Sequence, residues 1–470
     1  MKILFCSSEV VPFAKTGGLA DVCGTLPVAL EKLGLEVCVT LPLYRCVDIK
    51  EHQLKRLNQE ILVGSIGENI PVYFIDHKKY YDRDGIYGTS HGDFPDNLER
   101  FQFYCSKTLE LLKQLNLKVD IIHCHDWQTA LIPAYLKFLF HNHAFYKKMR
   151  SVFTIHNLAY QGLFPKEEYP KLKLERRLFG IDGFEFYDQV NLMKGGIRFS
   201  DMVTTVSPAY AKEIQADEFG CGLAGDLRVR KNKVTGILNG LDYGFWNPRT
   251  DPLIAEKFSP EDSEKKADNK TFLQKKFKLP VKKDVPLFGY VGRLAYQKGI
   301  DLMADALKEM VKMDAQVVFL GVGEKKYEDI LKNLAKEYPE HMACFIGFDE
   351  RMAHQVYAGS DFFLMPSRYE PCGLSQMISL AYGTVPIVFK TGGLADTIQE
   401  FEGSREEGNG FIFSEYKAGA FVKEIKKALK LFQERPKLSR LVKRSFDYKF
   451  SWEKSAQEYK RVYRECLASE

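Results

Sequence analysis

Short apolar runs that alternate with amphipathic stretches constrain the fold of this chain most strongly. In the second half, the apolar runs PLFGYV, QVVFLG, FFLM and VPIVF are separated by helical patterns such as IDLMADALKEMVK. The first half alternates in the same way, from MKILFC through LEVCVTLP to RSVFTI. Alternation of this kind is typical of βαβ units, and strands that are apolar on both faces need helices over both faces of the sheet. The sequence therefore predicts an α/β protein with Rossmann-like, doubly wound parallel sheets.

The length of the chain indicates about two to three domains, and its composition divides it into two halves. Its 470 residues exceed the usual size of one domain, about 100–200 residues. A polar segment, PRTDPLIAEKFSPEDSEKKADNK, separates the two halves. We predict a first domain over residues 1–245, a second over 246–445, and a C-terminal helix within 446–470 that packs back on the first domain. Ligands of open parallel sheets bind beyond the carboxyl ends of the strands, so we expect the two domains to face a deep cleft.

Composition argues against several classes of protein. A net charge of +5 with scattered lysines and arginines does not favour nucleic-acid binding. No run of about 18 apolar residues is present, so no membrane helix is expected. The N-terminal apolar run stops at Glu9, which does not fit a signal peptide. Ten cysteines without a CxxC pair fit reduced thiols in a cytoplasmic protein better than disulfides or a zinc site.

The heptapeptide KTGGLAD occurs twice, at residues 15–21 and 390–396. Each copy follows a predicted strand and precedes a predicted helix. Paired glycines let the backbone turn tightly, and free amides at a helix start, with Lys15 beside them, suit an anion. The alternative is a strand-to-helix turn without a ligand. Neither copy is a GxGxxG or P-loop motif, so dinucleotide and NTP binding lose support.

Two motifs of the second half carry charge at predicted strand ends. In GRLAYQKGID, Arg293 and Lys298 could hold a diphosphate from two directions, or the loop could simply be basic and solvated. In PSRYEPCGLSQM, Glu370 lies just before a predicted helix, and the amides of residues 372–374 could hold an anionic or hydroxyl group. The alternative for Glu370 is that it caps this helix.

Two motifs of the first half place polar side chains at strand ends. HCHDWQ carries His125 and Asp126, and FTIHNLAYQG carries His156. A metal cluster of His123, His125 and Asp126 is not favoured, because one strand face offers only two ligands and neither HExxH nor CxxC is present. DRDG at residues 82–85 resembles the DxD motif of metal-dependent sugar transferases, but a turn is the preferred interpretation.

The ordered set of motifs resembles one family. SSEVVPFAKTGGLADV, HCHDWQ, FTIHNLAYQG, VSPAYAKEI, ILNGLD, GRLAYQKG, PSRYEPCGLSQM and KTGGLADT are similar to motifs of the bacterial glycogen synthases and plant starch synthases. These are retaining glucosyltransferases of family GT5 with the two-domain GT-B fold. The resemblance covers essentially the whole chain, and the ordered set is highly specific.

The resemblance implies an activity. Proteins of this family transfer glucose from ADP-glucose to the non-reducing end of an α-1,4-glucan and retain the anomeric configuration. The implied partners are a nucleotide-sugar donor and a glycogen or maltooligosaccharide acceptor, with no cofactor and no metal. The implied location is the cytoplasm, or the plastid stroma in a plant or alga. Oligomeric state, acceptor length and glycogen versus starch as product stay open.

The resemblance also implies site residues. The catalytic set is Lys15, His156, Arg293, Lys298 and Glu370. The substrate-binding set is Gly17, Gly18, Asp21, Asp126, Trp127, Asn157, Asn239, Cys372, Gly373, Leu374, Thr391, Gly392 and Gly393. Both copies of KTGGLAD would then serve one ligand, each from its own domain.

Two other hypotheses remain beside this one. The first is a related retaining transferase that uses a UDP- or GDP-sugar with a small acceptor. The second is a non-catalytic glucan-binding or regulatory protein, for which loss of charged site residues is expected, whereas Lys15, His156, Arg293, Lys298 and Glu370 are all present.

Overall fold

The computed structural model describes residues 1–89, 92–402 and 407–468. Contacts within the chain divide it into two compact units, and each is described by itself. The first unit comprises Met1–Gly240 and Trp452–Glu470, and the second comprises Leu241–Ser451. The sequence predicts the two boundaries between these units after residues 245 and 445.

The first unit is built on a mixed sheet with two small sheets beside it. Its strands are β1 (Lys2–Cys6), β2 (Glu36–Pro42), β3 (Lys55–Arg56), β4 (Ile61–Ile66), β5 (Ile70–Ile75), β6 (Gly88–Thr89), β7 (Gly92–Asp93), β8 (Ile121–His125), β9 (Arg150–Ile155), β10 (Leu163–Pro165), β11 (Glu185–Phe186), β12 (Gln189–Asn191), β13 (Met202–Thr205) and β14 (Val234–Gly236). The strand order of the large sheet is β14-β13-β9-β8-β1-β2-β5-β4-β3. Its β14-to-β5 part is parallel, and β4 pairs antiparallel with both of its neighbours.

The parallel register brings three strand ends to one edge of this sheet. Phe5 of β1 pairs with His123 of β8, and His123 pairs in turn with Val152 of β9. Phe5, His123 and Val152 are all fully buried, as expected for strands with helices on both faces. The loops that follow β1, β8 and β9 therefore begin side by side.

The helices of the first unit differ in how much of their surface is buried. They are α1 (Gly18–Lys32), α2 (Lys78–Tyr81), α3 (Asn97–Gln114), α4 (Leu131–Phe138), α5 (Leu192–Phe199), α6 (Pro208–Glu213) and α7 (Ala224–Val229). In α3, residues three or four positions apart, namely Phe101, Tyr104, Cys105, Thr108 and Leu112, are buried. This is the spacing of one helix face, so the amphipathic pattern determines which side packs inward.

The second unit has a parallel sheet. Its strands are β15 (Leu287–Val291), β16 (Gln316–Gly321), β17 (Met342–Ile346), β18 (Phe362–Met365), β19 (Val385–Phe389) and β20 (Phe411–Phe413). Their order is β17-β16-β15-β18-β19-β20, and the pairs are parallel throughout. The loops after β15, β18 and β19 therefore leave the same edge from adjacent strands.

Helices cover this second sheet. They are α8 (Lys266–Lys276), α9 (Ile300–Lys312), α10 (Lys325–Glu337), α11 (Glu350–Gly359), α12 (Ser375–Ala381), α13 (Gly392–Thr397), α14 (Ala418–Gln433) and α15 (Arg435–Ser445). In α9, Met303, Ala306, Leu307 and Met310 lie on one face and pack into the same core as Phe319 of β16. The alternation of apolar runs and amphipathic stretches predicted this arrangement.

The last helix, α16 (Trp452–Ala468), returns to the first unit. It packs against α1 and β9, and it buries Tyr459, Val462, Tyr463 and Cys466 completely. The hydroxyl of Tyr463 and Nδ1 of His123 share a hydrogen bond of 2.8 Å. The C-terminal segment is therefore part of the first unit's core.

Two further findings concern expectations from composition. Of the helices in the described part of the chain, none combines the length and the apolar character that a membrane span requires. All ten cysteines lie within the described residues, and all are free thiols.

Candidate functional site

Two groups of loops at carboxyl edges hold most of the predicted site residues, while Asp21 lies on α1 and Asn239 follows β14. The first-unit cluster consists of the loops after β1, β8 and β9, over residues 7–18, 126–130 and 156–162. The second-unit cluster consists of the loops after β15, β18 and β19, over residues 292–299, 366–374 and 390–393. This edge of a parallel sheet is where its ligands bind.

An ion pair lies at the centre of the second-unit cluster. The Lys298 ammonium donates to Oε2 of Glu370 at 2.6 Å, and the two side chains are 21% and 7% exposed. The Ser367 hydroxyl donates to the same oxygen at 2.9 Å. The carboxylate makes no capping hydrogen bond to α12, which lacks a side-chain cap among the described residues. The alternative interpretation of Glu370 as a helix cap is therefore wrong, and Glu370 is held beside a cation.

The basic loop after β15 is tied to the loop that carries Glu370. Arg293 is exposed, and its Nη2 lies 3.5 Å from Oε1 of Gln297. Gln297 in turn donates from Nε2 to the carbonyl oxygen of Tyr369 at 3.1 Å. Together with the Lys298 ion pair, these contacts give the loop a defined place beside Glu370. The alternative of a freely solvated basic loop does not fit them.

Gln376 orients the backbone that follows Glu370. Its Nε2 donates to the carbonyl oxygens of Cys372 and Gly373 at 3.1 and 3.0 Å. In a trans peptide the N–H points opposite to the C=O, so the amides of Gly373 and Leu374 are directed away from Gln376. Gly373 has φ +75°, and a Cβ there would meet Oε1 of Gln376 at 2.4 Å. Only glycine fits this turn.

The second copy of KTGGLAD packs against the same loop. Thr391 is the N-cap position of α13, and the amide of Gly393 donates to the carbonyl oxygen of Glu370 at 3.0 Å. A Cβ at Gly392 would lie 2.0 Å from that oxygen, and one at Gly393 would lie 1.9 Å from the carbonyl oxygen of Cys372. Close backbone packing therefore explains both glycines. The expectation of a free amide is wrong for Gly393.

Glu9 occupies the amides of the first copy. Its carboxylate accepts from the amide of Thr16, from the Thr16 hydroxyl at 2.7 Å and from the amide of Gly17 at 3.1 Å. The expectation of free amides is therefore wrong for Thr16 and Gly17, and the first turn of α1 begins only at Gly18. A Cβ at Gly17 would have no atom within 4 Å, and its φ of −159° suits any residue. Unlike Gly392 and Gly393, Gly17 is not explained by packing.

Lys15 lies beside this turn. Its ammonium is 2.7 Å from Oδ1 of Asp21, and the side chains are 40% and 32% exposed. An exposed pair of this kind contributes little to stability, so it leaves the cation able to exchange partners. The structure thus brings Lys15, Gly17, Gly18 and Asp21 together at one turn.

DRDG lies in a bend of the chain, and both of its aspartates pair with Arg45. Asp82 and Asp84 both pair with Arg45, at 2.8 and 2.9 Å, and Gly85 has φ +85°. Both carboxylates of the motif therefore have a cationic partner in this structure, in agreement with the preferred interpretation as a turn.

Asp126 and His156 meet at the ends of β8 and β9. Oδ1 of Asp126 accepts from the amide of His156 at 2.7 Å. Burial raises the pKa of Asp126 to about 7, and the negative charge of Glu9 adds to this effect. Asp126 also has φ +56°, which is uncommon for a residue with a Cβ. A buried carboxyl with a raised pKa on a residue held at positive φ is a candidate for a functional role.

The three histidines of these strands have separate roles. Nδ1 of His125 and Nε2 of His156 share a hydrogen bond of 2.9 Å. Burial lowers the pKa of His156 to about 3, so its ring is neutral at physiological pH. His123 uses Nε2 toward the Thr154 hydroxyl at 2.6 Å and Nδ1 toward Tyr463. His123 therefore belongs to the core, and the unfavoured cluster of His123, His125 and Asp126 does not form.

The remaining predicted residues of the first unit differ in burial. Trp127 is buried between Phe101 and Phe164, with ring centroids 5.0 and 5.7 Å away, so packing accounts for its ring. Asn157 is half-buried next to His156. Asn239 is 5% exposed, and its Oδ1 has no hydrogen-bond partner within the described ranges. A buried acceptor of this kind is suited to a hydroxyl supplied by a ligand.

Sequence reasoning missed several residues that shape these clusters. Glu9 accepts from the amides of the first KTGGLAD turn, and Ser367 donates to the carboxylate of Glu370. Gln376 donates to the carbonyl oxygens of Cys372 and Gly373. His125 was a strand-end candidate but was not placed against His156. The motifs contain all four residues, but no spacing signal identifies their partners, which the folded backbone supplies.

Comparisons with known proteins place this geometry in a family. The model of the starch synthase catalytic domain matches residues 2–229, and the model of glycosyl transferases group 1 matches residues 271–445. A glycogen synthase of Geotalea daltonii is 47% identical over 480 residues, which cover 100% of this chain and 99% of that protein. The chain belongs to the glycogen and starch synthase family.

Other members of the family agree with this. A glycogen synthase of Desulforamulus reducens is 46% identical over 480 residues, covering 99% of both chains. The solved catalytic domain of Starch Synthase IV from Arabidopsis thaliana, bound to ADP and acarbose, is 34% identical and has a TM-score of 0.92 over 99% of both chains. The predicted family, the α/β fold class of the GT-B type and the enzyme class, a glucosyltransferase that acts as a glycogen (starch) synthase, are confirmed.

Proposed function

We propose that this member of the glycogen and starch synthase family transfers glucose from ADP-glucose to the non-reducing end of an α-1,4-glucan, with retention of configuration. The donor assignment is supported by the relative from Arabidopsis thaliana, whose structure holds ADP and acarbose. The acceptor assignment is supported by full-length similarity to glycogen synthases.

One observation carries the proposal. At the carboxyl edge of the second unit, a lysine on the loop after β15 is held 2.6 Å from a carboxylate on the loop after β18. A nucleotide-sugar needs a cation at its diphosphate and a polar anchor at its sugar. Lys298 and Glu370 offer this pair of groups side by side, with Arg293 on the same loop as Lys298.

The second-unit cluster is assigned to the leaving group. As the bond between the anomeric carbon and the phosphate oxygen breaks, negative charge grows on the diphosphate. Arg293 and Lys298 stabilise that charge, and the amides of Gly373 and Leu374 are oriented to add hydrogen bonds. Glu370 positions the sugar and offsets the positive charge of an oxocarbenium-like transition state. It is not assigned the role of nucleophile.

The first-unit cluster is assigned to the sugar and to the remaining charge of the donor. The family resemblance assigns Lys15 and the turn at Gly17 and Gly18 to the donor diphosphate. The neutral ring of His156 hydrogen-bonds the 6-hydroxyl of the glucosyl group, and Asn239 offers its buried Oδ1 to a further hydroxyl. Asp21, Asp126, Trp127 and Asn157 complete the sugar and acceptor contacts.

The proposed reaction needs no protein nucleophile. The acceptor hydroxyl attacks the anomeric carbon from the face that the diphosphate leaves. Its proton passes to the departing phosphate oxygen, and the glycosidic bond forms as the donor bond breaks. Cationic side chains carry the charge that a metal ion carries in other sugar transferases, so we propose that neither metal nor cofactor is needed. Free thiols at all ten cysteines, each within the described residues, support a reducing location such as the cytoplasm.

The test is a donor comparison with glycogen as acceptor. Radiolabelled ADP-, UDP- and GDP-glucose are supplied separately, and incorporation into polymer is measured. We expect strong incorporation from ADP-glucose and release of the label by an α-1,4-specific amylase. Incorporation mainly from UDP- or GDP-glucose would overturn the donor assignment. No incorporation from any donor, with labelled glucan still bound, would favour a non-catalytic glucan-binding protein.

A further inference from the structure

A thiol and two imidazoles meet in the first unit. Cys23 lies on α1, His125 ends β8, and His156 follows β9. One ligand atom from each of these residues lies within 4.8 Å of the other two. Cys23 and His125 are fully buried, whereas His156 is partly exposed, so the cluster can be reached from the side of His156. The proposed reaction uses neither the thiol nor the second imidazole.

We propose that Cys23, His125 and His156 form a binding site for a soft divalent metal ion such as Zn²⁺, and that an ion bound there inhibits the enzyme. The binding half of this inference stands on the cluster alone. The inhibition half rests on the proposed function, because it depends on the role of His156 in holding the sugar.

The ligand set and its spacing suit zinc. Thiolate sulfur and imidazole nitrogen are its usual protein ligands, and three of them leave a fourth position for water. Zn–S bonds of about 2.3 Å and Zn–N bonds of about 2.0–2.1 Å place tetrahedral ligand atoms about 3.3–3.6 Å apart. Here Nδ1 of His125 and Nε2 of His156 are 2.9 Å apart. Side-chain shifts of about 1 Å therefore convert the present cluster into a coordination shell.

One histidine nitrogen lacks a partner. Nε2 of His125 is buried and has no hydrogen-bond partner in the parts of the chain that the structure describes. A buried polar atom without a partner calls for an explanation, and a ligand held by the His125 ring would supply one.

The charges around the thiol favour a cation. Glu9 and Asp126, which are 3% and 8% exposed, lie close enough to act electrostatically on Cys23. A divalent ion compensates the charge of the thiolate and is attracted by a carboxylate beside it. Binding forms the S–Zn bond and releases the thiol proton to solvent. No oxidant or reductant takes part.

Inhibition follows from the position of His156. When its Nε2 binds the metal, the ring is fixed in the coordination shell and can no longer adjust to hold the glucosyl 6-hydroxyl. Added Zn²⁺ should therefore lower glucosyl transfer, and a chelator should restore it. This sign is opposite to that of an enzyme that needs a metal for catalysis.

Binding of Co²⁺ to the site can be measured from its absorption spectrum. Co²⁺ is added to the reduced wild-type protein, to Cys23→Val, and to a control in which the two exposed cysteines are replaced, Cys46→Ser with Cys221→Ser. We expect one equivalent to bind to the wild type and to the control, with a thiolate-to-Co²⁺ charge-transfer band and the intense visible bands of tetrahedral cobalt. For Cys23→Val we expect loss of that band and an affinity weakened more than about 100-fold, since even outer-shell changes cost about 10–100-fold.

Activity in the presence of Zn²⁺ tests the second half. Zn²⁺ should inhibit the wild type and the Cys46→Ser, Cys221→Ser control, whereas Cys23→Val should resist it. The Co²⁺ spectrum needs no activity, so a protein that fails every donor assay still reports on the metal site. Cys23→Ser replaces Cys23→Val if the valine variant does not fold.

The outcomes separate clearly. Equal Co²⁺ affinity and an equal charge-transfer band in wild type and Cys23 variants would overturn the site, as would the absence of any band in the wild type. Co²⁺ binding that needs Cys23 but leaves activity unchanged would overturn inhibition through His156. Loss of both the band and the inhibition in the Cys23 variants alone would establish the proposal.

Discussion

At the scale of single residues, Lys298 and Glu370 form the ion pair to which we assign the stabilisation of charge in the transition state. Replacing Lys298 with alanine leaves Glu370, which is 7% exposed, with the Ser367 hydroxyl as the one donor to its Oε2 among the described residues. Loss of one preorganised group that stabilises a transition state costs about 10²–10³-fold in kcat. We expect a loss of that size for Lys298→Ala, measured with saturating ADP-glucose and glycogen.

Lys312→Ala is the matched control for this measurement. Lys312 lies on α9, is 70% exposed and pairs with Glu309 three positions earlier. The substitution removes the same charge from the same unit, so kcat should stay within about 2-fold of wild type, as an exposed pair is worth about 0–1 kcal/mol. Turnover by Lys298→Ala that equals this control would refute the role assigned to Lys298.

Asp126 provides a prediction of pH dependence. Its folded pKa of about 7 lies above that of an unfolded aspartate, so the folded state holds a proton that the unfolded state releases. The stability that this carboxyl contributes is fully present below about pH 4 and is lost as pH rises to about 7. Between about pH 5 and about pH 8, the wild type should lose about 2–3 kcal/mol from this group.

Asp126→Asn tests the pH prediction. Asparagine keeps the acceptor for the amide of His156 and nearly the same shape as aspartate, but it does not titrate. The free energy of unfolding of the variant minus that of the wild type should therefore increase from about pH 5 to about pH 8, which means that the variant becomes relatively more stable. Chemical denaturation at both pH values measures it. A difference between the two proteins that does not change with pH would show that Asp126 titrates normally.

At the scale of elements, the two KTGGLAD turns have the same letters and different constraints. Gly393→Ala drives a Cβ to 1.9 Å from the carbonyl oxygen of Cys372, whereas Gly17→Ala meets nothing within 4 Å. We expect Gly393→Ala to destabilise the second unit by about 1–3 kcal/mol, as overpacking does. Gly17→Ala should leave the melting temperature unchanged and raise the KM for ADP-glucose, because its Cβ enters the space assigned to the donor.

Thermal unfolding and steady-state kinetics on both variants separate these effects. The control is Gly225→Ala, because Gly225 is at a helical position and a Cβ there would have no atom within 4 Å. Gly34→Ala is unsuitable because Gly34 has φ +80°. A normal KM for Gly17→Ala would indicate that the first turn is structural. It would also remove the argument that the repeat serves a ligand in the first unit.

The same scale shows how far sequence reasoning reaches. The strands and helices follow from local periodicity, as in β16 and α9, and so do the edges at which the loops lie. Contacts between distant loops do not follow, since Lys298 and Glu370 are 72 positions apart and meet only because β15 and β18 are neighbours. The contacts of Glu9 could not be predicted from the sequence either. Its place under Thr16 and Gly17 depends on the path of the loop after β1, which no periodic signal describes.

At the scale of the whole molecule, the chain leaves the first unit at Gly240 and returns at Trp452. The core of the first unit is therefore incomplete until the last helix has been made. Tyr459, Val462, Tyr463 and Cys466 are fully buried there, and each buried apolar side chain contributes about 1.5–3 kcal/mol. Several such side chains together approach the whole stability of a domain, about 5–15 kcal/mol.

We therefore expect a chain that stops after Ser451 to lose the fold of the first unit and keep that of the second. Hydrogen exchange followed by mass spectrometry should show β1, β8 and β9 unprotected, while β15, β16 and β18 keep slow exchange. Tyr463→Phe in the full chain is the milder counterpart, because it removes only the hydrogen bond to His123 and should cost about 1–3 kcal/mol. Protection of β8 in the truncated chain would mean that α16 covers the first unit without completing its core.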